Sequence, residues 1–113
     1  MNPPRIKLRL QYAPTLVLGP GKAELLEAIS RTGSISAAGR EMGMSYRRAW
    51  ALVEEMNAGF STPVVDSSRG GPGGGGAVLT PTGHKVLHHF RQLEDILRDH
   101  GAQDIEAISK LLK

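Results

Sequence analysis

The 113-residue chain contains no cysteine, so it holds neither a disulfide nor a thiolate-bound zinc or iron–sulfur site. That absence fits a reducing compartment. No run comes near the ~18 apolar residues that a membrane-spanning helix needs. The opening residues, Met1-Asn2-Pro3-Pro4-Arg5, lead into alternating residues rather than the apolar stretch of a secretory signal. A cytoplasmic protein without membrane contact is the expectation. Paired carboxylates in a pocket-forming context are missing too, and Ser, His and Asp occur together only as chance allows, so neither an enzyme nor a cofactor is expected. The net charge of +3 leaves four histidines uncounted. Such an excess permits a polyanionic partner without demanding one.

What is present is a chain of single-domain length, long enough to bury roughly two-thirds of its unfolded surface. Ile6 to Tyr12 alternates apolar and polar residues, which predicts a strand burying Ile6, Leu8, Leu10 and Tyr12. Gly19-Pro20-Gly21 ends extended structure. A first helix is predicted from about Gly21 to Thr32, with Gly33 as its terminating residue. A second spans about Ser36 to Met42, with Ser36 as N-cap. Gly43 stops it, and Ser45 caps a third helix that runs to about Ala58. Ala49, Leu52, Val53 and Met56 give that helix a core stripe at i, i+3, i+4, i+7.

Extended pieces at about Pro63–Ser67 and Ala77–Thr80 flank the glycine-rich run Ser68–Gly76 and predict a hairpin. Thr80-Pro81 opens a fourth helix reaching about His100. An amphipathic tail with Ile105, Ile108, Leu111 and Leu112 follows. The predicted fold is mainly α with a small β component: a winged helix-turn-helix with an N-terminal strand, a hairpin wing and a C-terminal dimerisation helix. A single domain over 1–113 is expected, divided into a strand region at 5–18, a helix-turn-helix core at 21–60, a wing at 63–80, the long helix at 80–100 and a tail at 103–113.

In that fold the tight turn at Gly43-Met44 stands the third helix across the second, so that its N-terminus projects outward. A helix so placed can enter a major groove ~12 Å wide and offer its first-turn side chains to base edges. Here that turn is Ser45-Tyr46-Arg47-Arg48. The stripe claims Ala49 and Leu52, so Arg47, Arg48 and Ala51 point outward. Either arginine can reach a guanine edge or a phosphate. Trp50 is read as packing beneath this surface, whereas Tyr46 is left open between packing and contact.

The glycine run fits a wing tip, with Arg69 supplying charge. It is a poor nucleotide cradle, because it opens no helix after a strand and no GKS or GKT follows. His84 and His88 stand at i, i+4 with His89 beside them. Solvent-exposed histidines are the preferred reading, and no metal is assigned. Val86, Phe90, Leu93 and Leu97 step by 4, 3, 4, the spacing of a helix–helix seam, and are taken as a dimer interface.

Gly33-Ser34-Ile35-Ser36, Gly43 to Trp50 and Glu55-Met56-Asn57, followed by Arg69-Gly70-Gly71 and Gly73 to Thr80, resemble the DNA-binding domain of ModE-type molybdate-responsive regulators. The helix-turn-helix is similar to the LysR type. The resemblance covers about residues 20–98. It implies a homodimer on a two-fold symmetric operator in double-stranded DNA, linked to genes of molybdenum metabolism. The candidate DNA-contacting set is Ser34, Ser36, Ser45, Tyr46, Arg47, Arg48 and Ala51, with Arg69, Gly70, Gly71, Gly73 and Gly74 of the wing. Pro72 stands where the family carries a basic residue. A stand-alone DNA-binding chain that does not itself bind molybdate is expected. The alternatives are a winged module for protein interaction or dimerisation, and an oxyanion- or metal-responsive sensor.

Overall fold

Short-range capping signals set most element boundaries in the computed structural model, which describes residues 4–14, 16–67 and 76–113. Strands β1 (Leu10–Ala13) and β2 (Leu16–Leu18) form an antiparallel hairpin. Helices α1 (Pro20–Thr32), α2 (Ile35–Glu41) and α3 (Tyr46–Gly59) follow. A second antiparallel pair, β3 (Val65–Ser67) and β4 (Ala77–Leu79), precedes α4 (Pro81–His100) and α5 (Ala102–Ser109). This is the winged helix-turn-helix expected from the sequence.

The main core gathers Leu25, Leu26 and Ile29 of α1, Ile35 and Ala38 of α2, the α3 stripe, and Val64, Val65, Ala77 and Leu79 around the second hairpin. Each fully buried Leu, Ile or Val contributes about 1.5–3 kcal/mol relative to exposure. A smaller core joins Leu18, Ala23 and Phe90, with Leu8 and Leu10 packed against it. Arg91 ties α4 to α1 through Glu27 at 2.9 Å and also reaches Glu94 at 2.9 Å. Burial opposes its charge, but the hydrogen bonds to Glu94 and Glu27 outweigh that and hold its pKa above the usual value.

Three expectations need correction. The N-terminal strand is shorter than Ile6–Tyr12, and Tyr12 is exposed rather than buried. The β1–β2 register shifts between Gln11 and Ala13, and such a bulge interrupts the inward-outward alternation that the sequence suggests. The N-cap of α2 is Ser34, not Ser36: Ser34 is extended and its hydroxyl accepts from the Ala37 amide at 3.0 Å. Phe90, assigned to a seam between chains, is 2% exposed and belongs to this chain's own smaller core.

Beyond Phe90 the core ends while α4 continues. Leu93, Ile96 and Leu97 are 38%, 51% and 41% exposed, and Ile108, Leu111 and Leu112 beyond Gly101 are more exposed still. The described residues extend over 56 × 28 × 23 Å with a radius of gyration of 16.4 Å, against about 13 Å for a spherical chain of this length.

Candidate nucleic-acid interface

The third helix begins where Ser45 turns its hydroxyl onto the Arg48 amide at 3.1 Å, satisfying one of the donors that a helix start leaves open. The preceding turn depends on Gly43, whose φ of 72° lies in the left-handed region that glycine occupies without a Cβ clash. The Met44 amide then bonds back to the Gly39 carbonyl at 2.9 Å. At Gly39 a Cβ would lie 2.9 Å from the Ala49 Cβ, so small residues on both helices let α2 and α3 meet closely.

With Ala49, Leu52, Val53 and Met56 facing inward, Ser45, Tyr46, Arg47, Arg48 and Ala51 are exposed. Arg47 and Arg48 form no ion pair among the described residues, whereas the later Glu55 is held by Lys22 at 2.7 Å. The first turn of α3 therefore offers two uncommitted guanidinium groups beside the positive end of a helix dipole. Tyr46 is 59% exposed and meets Trp50 edge-on, with ring centroids 6.0 Å apart. Trp50 packs against the core. The two aromatics thus divide as inner support and outer surface.

Of the two serines at the start of α2, Ser34 spends its hydroxyl on the cap, while Ser36 is half-buried and accepts from Arg40 Nη1 at 3.0 Å. The second hairpin pairs Val65 with Leu79 and Ser67 with Ala77, forming a wing stem. The wing residues Arg69, Gly70, Gly71, Gly73 and Gly74 lie outside the described residues.

Asn57 is a positioning residue that the contact set omits. Its Oδ1 accepts from the Val64 amide at 2.8 Å and from Val65 at 3.1 Å, and its Nδ2 donates to the Val65 carbonyl at 3.1 Å. One side chain thereby joins the recognition-type helix to the base of the wing. A polar residue next to the buried Met56 was the available signal.

On the other side of the stem, the Thr80 hydroxyl donates to the Pro63 carbonyl at 2.6 Å and accepts from the Gly83 amide at 3.0 Å. The Ala77 amide donates to the Gly33 carbonyl at 2.9 Å. Gly83 has to be glycine, since a Cβ there would sit 2.1 Å from the Val64 carbonyl oxygen.

His84, His88 and His89 are exposed on α4, with the His88 and His89 rings edge-on at 5.1 Å. Among the described residues no three His, Asp or Glu side chains cluster as a metal site would require. No helix among them is long and apolar enough to cross a membrane.

Residues 21–84 match the family described as bacterial regulatory helix-turn-helix protein, lysR family. The chain is 51% identical over 77 residues to the molybdenum-pterin-binding protein MopB of Rhodobacter capsulatus, covering 68% of this chain and 28% of that protein. It is 39% identical over 92 residues to the DNA-binding transcriptional dual regulator ModE of Escherichia coli K12, covering 81% of this chain and 34% of that one. It thus spans about a third of the length of these curated relatives. In fold it is similar to the protein in a crystal structure of the CbnR_DBD–DNA complex, with a TM-score of 0.61 at 18% identity over 78% of this chain and 95% of that one.

Proposed function

Since the chain belongs to the bacterial regulatory helix-turn-helix proteins of the lysR family, we propose that it is a sequence-specific DNA-binding transcriptional regulator. The observation that carries this reading is the first turn of α3, four consecutive exposed residues at a capped helix start, two of them arginines that form no ion pair among the described residues. Inserted into a major groove, Arg47 and Arg48 present forked donors that suit the O6/N7 edge of guanine or a backbone phosphate. Ser45, Tyr46 and Ala51 lie beside them. Ser34 and Ser36 at the start of α2 reach the flanking backbone, and Arg69 with Gly70, Gly71, Gly73 and Gly74 supplies the second contact from the wing. The protein binds rather than catalyses, and it acts in the cytoplasm, where the chromosome is. Its targets include genes of molybdenum metabolism, a reading supported by the names of its relatives.

It acts as a homodimer on a palindromic site. The elongated shape and the exposed Leu93, Ile96 and Leu97 support this, with half-buried Val86 at the inner edge of the same stripe. Phe90 serves the seam from beneath by fixing α4 to α1.

The test is the double variant Arg47→Ala/Arg48→Ala, assayed against duplexes selected from genomic DNA. Specific binding is expected to disappear while the thermal melt stays that of the parent. A variant that shifts its selected duplex at parental concentration would overturn the assignment of α3 as reader.

A further inference from the structure

Ahead of β1, Arg5, Lys7 and Arg9 alternate with Ile6, Leu8 and Leu10. The apolar set is half-buried, with Leu8 and Leu10 against the smaller core. The three basic side chains are exposed, and among the described residues none of them forms an ion pair. Anchored by its apolar side, the segment therefore presents a cationic outer face.

That face runs into α3. The stem of Arg9 lies over Gly19, where an added Cβ would come within 3.4 Å of its Cγ. Arg9, Gly19, Lys22, Arg48 and Glu55 line one open cavity of about 490 Å³. Its single carboxylate is already held by Lys22, which also donates to the Val17 carbonyl at 2.7 Å. Two cations around this cavity, Arg9 and Arg48, form no ion pair among the described residues. The start of α1, where Gly19 makes no side-chain cap, adds its positive dipole end.

We propose that the N-terminal segment is a third DNA-contacting element, in which Arg9 and Arg48 flank one backbone phosphate and Arg5 and Lys7 follow the same strand outward. The assignment rests on the DNA-binding reading above. In it Arg48 turns from the base edges toward the backbone, leaving Arg47 as the main reader in the groove. The segment adds affinity without sequence preference, because phosphates carry none.

The experiment uses the full chain, a duplex of about 30 base pairs selected from genomic DNA and a scrambled duplex of equal composition, titrated over a range of salt concentrations. Arg9→Gln keeps most of the stem over Gly19 and removes the charge. It is expected to weaken both duplexes by a similar factor, about three- to tenfold, and to lower the salt slope by about 0.9 for the one lost phosphate contact. Arg5→Ala/Lys7→Ala lowers the slope further, and Arg9→Lys restores it. Hydroxyl-radical protection is lost at backbone positions flanking the α3 site alone. An unchanged slope in Arg9→Gln, with parental binding intact, overturns the third contact and leaves the α3 reading standing. Loss confined to the selected duplex also overturns it, since Arg9 would then read bases. Failure of the parent to bind either duplex overturns both readings.

Discussion

α3 and α4 carry the same kind of apolar stripe and use it differently. On α3 every stripe residue is buried in the main core, so the opposite face is free to meet a ligand without loss of stability. On α4 the stripe outruns its core: Phe90 is enclosed, and one turn later Leu93 is not. Periodicity tells which face of a helix is apolar, but not what covers it. A stripe that matches its core in length marks an internal element. One that exceeds its core marks a helix with cover still to be supplied, and a second copy is the cover proposed above.

The contrast can be broken first at its buried end. Phe90→Ala removes the largest side chain of the smaller core and is expected to cost about 3–5 kcal/mol, read as a fall in the denaturation midpoint with an unchanged slope. A loss under 1 kcal/mol would mean that the first half of α4 is as loosely covered as the second. Asn57→Ala comes next. It strands the Val64 and Val65 amides at the base of the wing and is expected to cost about 1–3 kcal/mol. DNA affinity should fall beyond what the folded fraction explains, and a variant that loses stability but keeps parental affinity when folded would show that the clip has no part in binding. The smallest effect on the fold is expected from Leu93→Glu/Leu97→Glu. At exposed positions such changes usually stay within about 0.5 kcal/mol each. Sedimentation equilibrium is nonetheless expected to report a monomer for this variant and a dimer for the parent. If the parent itself sediments as a monomer at micromolar concentration, the cover for α4 is not a second copy.

Legibility followed the range of the interactions. Ser45, Thr80 with Pro81, and Gly33 act within one helical turn, and the helices they bound were readable to within a residue or two. The α3 stripe and the exposed first turn were readable for the same reason. Ser34 and Ser36 offered two caps at one helix start, and only the extended backbone at Ser34 decides between them. Tyr12 left the predicted face because a bulge depends on the partner strand, which local alternation does not report. The 4-3-4 spacing around Phe90 is common to a dimer seam and a helix packed on its own core, so it could not separate them. Asn57 and the cavity shared by Arg9 and Arg48 arise from contacts between separate elements. Their residue types were visible, but their neighbours were not.

The amide of Asn57 behaves as a strand residue lent by a helix. Because both its oxygen and its nitrogen are engaged, α3 cannot roll about its axis without dragging the wing stem, nor can the stem tilt alone. In the proposed complex, with α3 seated in a major groove, the wing stem would be held by these bonds at a set angle to that helix. On that reading, duplexes whose groove width suits one contact and misplaces the other are expected to be rejected by geometry, before any base edge is compared.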